Sequence, residues 1–274
     1  MDYSIIIPAR FGSTRLPGKA LLDIAGQTMI QRVHTQACAS SATEVIIATD
    51  DERIAEVARR FGADVAMTRS DHSSGTDRLQ EVAQSRGFAE QRIVVNVQGD
   101  EPLLPPALID QVANNLASSN AGVATLCEAI TNVDELFDSN AVKVVRNQRD
   151  LALYFSRQPL PWQRSWQAVQ AAVIEGVSGD GQIDVLRNEV QQQLNNQRLW
   201  FRHIGLYGYR TQVLNDFISW PKSGLEISES LEQLRMLDNG VSILCQEASV
   251  PSPVGVDTPE DLEAIRRIFS QPKN

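Results

Sequence analysis

The chain has 274 residues, 42% of them hydrophobic, and carries 25 Lys and Arg against 34 Asp and Glu for a formal net charge of −9. That is enough apolar material for a full α/β core, and the acidic balance argues against a nucleic-acid partner, which needs a basic face. No apolar run approaches the ~18 residues of a membrane-spanning helix. Cys38, Cys127 and Cys245 are too dispersed for a zinc motif or a disulfide framework and read as ordinary reduced, mostly buried residues. His34, His72 and His203 are equally far apart and read as structural groups. A strand starts almost at once, with no charged stretch, apolar stretch and cleavage site ahead of it, so the expected compartment is the cytoplasm.

In chain order, residues 4–7, 44–49, 64–68, 92–97 and 123–127 read as strands, with helices near 28–40, 51–61, 76–86 and 105–118. The run Ile93-Val94-Val95-Asn96-Val97 is apolar on both faces of an extended chain, which implies a parallel sheet covered on both sides. The first 130 residues therefore predict a doubly wound, mostly parallel, Rossmann-like α/β sheet with its sites at the carboxyl ends of the strands. Val142-Lys143-Val144-Val145, Ala152-Leu153-Tyr154-Phe155 and Ile204-Gly205-Leu206-Tyr207 predict antiparallel strands, so the sheet becomes mixed. Between them, 163–200 is Gln-rich, with a turn at Ser178-Gly179-Asp180-Gly181 and Ile183, Leu186, Val190 and Leu194 at helical spacing. It reads as a peripheral or dimer-contacting insertion. A second amphipathic helix is expected over 225–237, a strand over 241–245 and a closing helix over 258–269, capped by Asp257 or Thr258 with Pro259 in its first turn.

The loop after the first strand, Pro8-Ala9-Arg10-Phe11-Gly12-Ser13-Thr14-Arg15-Leu16-Pro17-Gly18-Lys19, concentrates three cations in an acidic chain. An anionic ligand is the natural purpose, because such turns expose backbone N–H groups that Arg and Lys supplement. It is no P-loop: five residues separate Gly12 from Gly18, and Ala20 follows Lys19 where a hydroxyl is needed. The dinucleotide fingerprint is absent as well. Asp100, in Val97-Gln98-Gly99-Asp100-Glu101-Pro102, should sit at the mouth of the sheet, where a carboxylate can hold magnesium against phosphate oxygens or simply serve a turn. Asp257 is a second such candidate, with helix capping as its other reading. Ser73-Ser74-Gly75-Thr76-Asp77-Arg78 can read the polar edge of a pyrimidine or cap the helix that follows.

Taken together and in this order, these motifs resemble the CMP-Kdo synthetases, the 3-deoxy-manno-octulosonate cytidylyltransferases. The resemblance rests on the first loop, on Thr68-Arg69-Ser70-Asp71-His72 with Ser74-Gly75-Thr76-Asp77-Arg78, and on Asn96-Val97-Gln98-Gly99-Asp100-Glu101-Pro102. It continues through Asn140-Ala141-Val142-Lys143, Tyr154-Phe155-Ser156-Arg157, Arg202-His203-Ile204-Gly205-Leu206-Tyr207, Leu231-Glu232-Gln233-Leu234-Arg235 and the segment after Gly255. It implies a nucleotidyltransferase fold in one domain over 1–274. About 1–130 would be the nucleotide-binding half, about 131–250 a smaller mixed α+β sugar-binding and dimerisation portion, and 251–274 a C-terminal return.

The reaction implied is CTP plus a 3-deoxy-2-ulosonic acid giving CMP-sugar and pyrophosphate, for lipopolysaccharide biosynthesis. By the same resemblance Arg10, Arg15 and Lys19 hold the triphosphate, and Ala9, Ser74, Gly75, Thr76, Arg78 and Gln98 complete the nucleotide site. Asp100 and Asp257 carry Mg2+, and Lys19, Asp100 and Arg10 are the catalytic set. Gln98, Arg157, His203, Tyr207, Glu232 and Gln233 meet the sugar, in a homodimer. Where the family shows Leu-Glu-His-Ile-Glu-x-Leu-Glu-Gln-Leu-Arg, this chain has Leu225-Glu226-Ile227-Ser228-Glu229-Ser230-Leu231-Glu232-Gln233-Leu234-Arg235. The sugar is therefore open between Kdo and its 8-amino-8-deoxy analogue, whose ammonium would favour neighbours such as Glu226, Ser228, Glu229 and Ser230. Transfer to another acidic sugar such as sialic acid, or a non-catalytic sugar-nucleotide sensor, are the alternatives.

Overall fold

The computed structural model describes residues 2–12, 16–72, 74–166, 181–253 and 255–271. The chain forms two compact units, the first from Met1–Ala124, Gly205–Pro221 and Ala248–Asn274, the second from Thr125–Ile204 and Lys222–Glu247. The segment Gly205–Pro221 thus belongs with the N-terminal residues rather than with the middle of the chain.

The first unit contains β1 (Tyr3–Ala9), the small hairpin β2 (Asp23–Ile24) and β3 (Gln27–Thr28), then β4 (Glu44–Thr49), β5 (Asp64–Met67) and β6 (Ile93–Asn96). β1 lies parallel between β4 and β6, and β5 extends the sheet parallel to β4. Tyr3, Ser4, Ile5, Ile6 and Ile7 are buried in succession, so both faces of the sheet are covered. That is why an alternating pattern is missing from this strand. The helices Met29–Cys38, Glu52–Arg60, Gly75–Ser85 and Pro106–Ala117 follow the strands as the periodicity predicts. Met29–Cys38 turns Met29, Ile30, Val33 and Ala37 inward, one apolar stripe at helical spacing.

The closing helix, Pro259–Ser270, is capped by Thr258, whose hydroxyl accepts the Asp261 N–H while the Asp261 carboxylate accepts the Thr258 N–H. Of the two expected caps, Thr258 does the work, which leaves the Asp257 carboxylate for other partners. Leu16, Ile24, Met29, Val256, Leu262 and Ile265 form one apolar cluster. It fastens the loop after β1 and the C-terminal segment to each other.

The second unit holds most of β7 (Val123–Ala129), then β8 (Lys143–Arg146), β9 (Ala152–Ser156), the start of β10 (Phe201–Arg210) and β11 (Ile243–Glu247). β8 is antiparallel to β9 and to the start of β10, as expected. The far end of β10 returns to the first unit and runs antiparallel to β6, from Tyr207 opposite Asn96 to Arg210 opposite Ile93. Ile130, Val133, Leu136, Trp166, Val190, Leu194 and Trp200 make the core of the second unit. The Trp166 and Trp200 ring centroids are 4.9 Å apart, and each indole N–H is satisfied, by Gln193 Oε1 and the Pro161 carbonyl at 2.9 Å. The helix Gly181–Asn196 enters that core through Val190 and Leu194. The expected turn at 178–180 and the side chains of Ile183 and Leu186 lie outside the described residues.

The helix expected over 225–237 is instead two short ones, Gly224–Glu229 and Gln233–Asp238, separated by Ser230 in the left-handed region at φ 54. The reason is a buried ion pair. Arg235 donates through Nε to Glu226 Oε2 at 2.6 Å and through Nη2 to Oε1 at 2.5 Å, with both side chains under a tenth exposed. Positions nine apart on one continuous helix point about 180° away from each other, so the pair can close only across a break.

Removing one partner of such a pair strands the other charge. Glu226→Ala should lower the stability of this unit by about 3 kcal/mol, read from urea unfolding by Trp fluorescence. Glu226→Leu combined with Arg235→Leu should recover most of that loss.

Candidate active site

A cleft of about 430 Å³ opens at the carboxyl ends of β1 and β6 within the first unit. Its walls come from five places: Pro8–Arg10 with Gly12, Lys19 and Ala20, His72, the start of the helix Gly75–Ser85, and Gln98–Asp100, with Asp257 at one side. Each enters for a local reason. Gly18 adopts φ 67, in the left-handed region, and its N–H closes onto the Phe11 carbonyl at 3.2 Å, so the loop folds back and delivers Lys19. At Gly99 a Cβ would stand 2.9 Å from the Pro8 carbonyl oxygen. Only glycine lets the turn after β6 lie this close to β1.

Asp257 arrives because Val256, fully buried, donates its N–H to the Asp100 carbonyl at 2.9 Å. The outcome is a ring of three oxygens around one ammonium. Lys19 Nζ donates to Asp100 Oδ2 at 2.6 Å, to the Val256 carbonyl at 2.7 Å and to Asp257 Oδ1 at 3.0 Å. The lysine side chain is 14% exposed, against 33% for Asp100 and 50% for Asp257, so the ammonium is the least exposed of three groups that all line the cleft. Burial alone would lower the Lys19 pKa; Asp100 and then Asp257 outweigh it and hold it above the ordinary lysine value.

Opposite, Ser74 caps the helix Gly75–Ser85: its hydroxyl accepts the Asp77 N–H at 3.2 Å and Asp77 accepts the Ser74 N–H at 3.1 Å. The positive end of the helix therefore faces the cleft beside Gly75. Arg78 is 4% exposed, bonded to Thr68 Oγ1 and 3.3 Å from Asp50, and still contributes to the wall. Arg10 is exposed at the mouth. Thr76 is buried in the first helical turn. Arg15 and Ser73 lie outside the described residues. The cleft thus gathers Ala9, Arg10, Lys19, Ser74, Gly75, Arg78, Gln98, Asp100 and Asp257 of the expected residues.

It also contains His72, which sequence reasoning set aside as structural. Its Nε2 meets the Glu81 carboxylate, which accepts the Arg69 N–H at 3.0 Å as well. The available signal was its position in Thr68-Arg69-Ser70-Asp71-His72, directly before the capping segment.

Tyr207, also in the first unit, is 7% exposed and stacks on Tyr209 with centroids 5.6 Å apart. Of the other residues expected to meet a sugar, Gln98 lies in the first unit and lines its cleft, whereas Arg157, His203, Glu232 and Gln233 belong to the second. Arg157 donates through Nε to the Glu229 carbonyl at 2.8 Å and through Nη1 to the Ser139 carbonyl at 3.0 Å. Glu229 in turn accepts the Ser156 hydroxyl at 2.5 Å and the Arg157 N–H at 3.0 Å. The two carboxylates considered as partners for an amino group, Glu226 and Glu229, are thus both engaged inside the unit. Glu232 and Gln233 stand at the start of the helix Gln233–Asp238. His203 bonds Thr125 Oγ1 at 3.1 Å and meets the edge of Phe155; burial, with Arg202 adding to it, pushes its pKa down to about 3. It is a neutral imidazole at physiological pH.

A cleft at the strand ends of a mostly parallel sheet, with fixed cations and paired carboxylates, is the arrangement of a nucleotidyltransferase. Residues 4–243 match a family model described as Cytidylyltransferase. The chain is 52% identical over 268 residues to the 3-deoxy-manno-octulosonate cytidylyltransferase of Pseudomonas syringae pv. syringae, covering 97% of this chain and 98% of that one. It is 49% identical over 270 residues to the enzyme of the same name from Vibrio vulnificus, covering 98% and 99%. A solved structure of CMP:2-keto-3-deoxy-manno-octonic acid synthetase complexed with CTP superposes with a TM-score of 0.82 at 39% identity over 98% of each chain. The chain belongs to the CMP-Kdo synthetase family of cytidylyltransferases. Among the described residues no helix is long and apolar enough to cross a membrane.

Two outcomes follow from the local geometry. Gly99→Ala must push β1 and the Asp100 turn apart at a cost of about 1–3 kcal/mol, and should lower turnover at saturating substrate. For His203, the unfolded chain takes up a proton near the ordinary 6.5 and the folded one only near 3. Its stabilising contribution is therefore complete above pH 6.5 and lost as pH falls towards 3. His203→Gln should flatten that part of an acid-unfolding curve.

Proposed function

We propose that this chain transfers the cytidylyl group of CTP to a 3-deoxy-octulosonic acid, releasing pyrophosphate and supplying the activated sugar for lipopolysaccharide biosynthesis. The reading is carried by the convergence of Asp100 and Asp257 on one cation site beside the loop that bears Arg10 and Lys19. The triphosphate lies along that loop. Arg10, Arg15 and Lys19 take its β- and γ-phosphates, and the fixed cations stabilise the negative charge that grows on departing pyrophosphate. Ala9, Ser74, Gly75, Thr76, Arg78 and Gln98 seat the nucleoside.

On the sugar side, the residues implied by the family resemblance are Gln98, Arg157, His203, Tyr207, Glu232 and Gln233, and the anomeric hydroxyl of the ulosonic acid attacks the α-phosphorus. The hydroxyl oxygen bonds to phosphorus, the bond to the bridging oxygen breaks, and the hydroxyl proton leaves to solvent. No protein nucleophile is needed. His203, neutral and bonded to Thr125, acts through hydrogen bonding alone.

Magnesium fits the donor set: Asp100 and Asp257 offer hard oxygen ligands in the cleft, as the ion prefers. Among the described residues no cluster of three or more His, Cys, Asp or Glu forms a complete cage, so substrate oxygens and water would complete the shell. When bound, the ion screens phosphate charge and lowers the pKa of the attacking hydroxyl. Kdo is the preferred sugar over its 8-amino analogue, because Glu226 is closed off by Arg235 and Glu229 by Ser156 and Arg157. A cytoplasmic homodimer is the proposed working form.

Pyrophosphate release from CTP and magnesium should occur with Kdo and be slower with 8-amino-8-deoxy-Kdo. Release with neither sugar, from a folded protein that binds CTP, would point to another acidic sugar or to a sensor. Asp100→Asn should lower turnover by at least about a hundredfold while CTP still binds, checked by calorimetry.

A further inference from the structure

The three oxygens around Lys19 account for all three protons of its ammonium. Two of them belong to the carboxylates that would hold a divalent ion. In this state Lys19 has no proton left for a phosphate, and its charge lies where the ion's charge would lie. The ammonium stands between Asp100 Oδ2 and Asp257 Oδ1, where an ion bridging those two oxygens would have to sit. A divalent ion there would meet the ammonium's charge on those same two oxygens, so the two cations compete for them.

We propose that Lys19 is a built-in stand-in for the metal: it fills the Asp100–Asp257 cation site in the nucleotide-free chain, and it gives up that site to the divalent ion when a triphosphate arrives. This rests on the magnesium reading given above. The charge count favours the exchange. Two carboxylates and one ammonium sum to −1; a divalent ion in the lysine's place brings the pair to zero and frees a full positive charge for the incoming polyanion. The lysine stem has four flexible carbons. The short helical turn Lys19–Leu21, set on left-handed Gly18 and held by the Leu21 N–H to the Gly18 carbonyl at 2.8 Å, can stay in place while the side chain swings.

The metal site is consequently shut until nucleotide is present. The lysine also keeps two carboxylates from repelling each other before the metal comes. Its two roles, partner of the carboxylates and partner of the phosphates, are successive rather than simultaneous.

The test titrates Mn2+ into nucleotide-free protein and follows the loss of the free-ion paramagnetic resonance signal. If the ammonium fills the site in more than nine molecules of ten, Lys19→Met should bind Mn2+ at least about tenfold more tightly than the wild type. Adding Asp100→Asn to Lys19→Met should abolish the gain. In melting experiments Mn2+ should raise the Tm of Lys19→Met and leave that of the wild type nearly unchanged, which also reports that the variant is folded. Lys19→Gln, which can still donate to one carboxylate, is a second variant and should show a smaller gain of the same sign. Equal Mn2+ affinity in wild type, Lys19→Met and Lys19→Gln would overturn the exchange. If Asp100→Asn has meanwhile lost magnesium-dependent turnover, the metal reading survives that result; if it keeps full turnover, both fall.

Discussion

The first unit is organised around one buried cation and the oxygens that hold it. Lys19 is 81 positions from Asp100 and 238 from Asp257, and no local preference of the backbone brings them together. Several separate devices do: a left-handed glycine before Lys19, a glycine before Asp100 that admits close approach to β1, and a backbone hydrogen bond from Val256 to Asp100. The apolar cluster containing Leu16 and Val256 supplies the binding force. Even the closing helix contributes, since its capping by Thr258 leaves Asp257 available.

The second unit treats charge in a different way. Its buried cations are held by backbone carbonyls as much as by carboxylates. Lys143, with no exposed surface, donates to the Asp138 carbonyl at 2.6 Å, and burial pushes its pKa down to about 8. Arg157 is fixed by the carbonyls of Ser139 and Glu229. Adjacent residues of one turn, Asp138 and Ser139, thus anchor two cations, while Glu226 and Arg235 join two short helices. Such groups lose little freedom when a polar ligand is bound, which is the useful property of a preorganised surface.

Much of this was legible from the amino-acid sequence. Where strands were buried on both faces, as in β1 and β6, the continuous apolar runs marked them and the parallel sheet together. The cation-rich loop and Asp100 stood out because they follow such strands. The break at Ser230 was not legible, because the left-handed residue is a serine and the surrounding spacing is amphipathic; the cause is an ion pair between Glu226 and Arg235 that periodicity does not report. The choice between Asp257 and Thr258 as cap, and the role of Lys19 as partner of both carboxylates, depend on distances in space. His72 was passed over because an isolated histidine carries no spacing signal. The sugar came from family resemblance alone, since residues such as His203 and Gln233 have no sequence pattern that specifies a ligand.

The central claim is direct transfer from nucleotide to sugar at the Lys19 cleft, with the protein supplying charge and orientation only. It is tested most directly with CTP labelled at its α-phosphorus, incubated with magnesium and Kdo, with sugar, nucleotide and denatured protein then separated. The account predicts label on the sugar in step with pyrophosphate released, and none on the protein. Label retained covalently by the protein, or CTP left intact beside bound sugar, would contradict it.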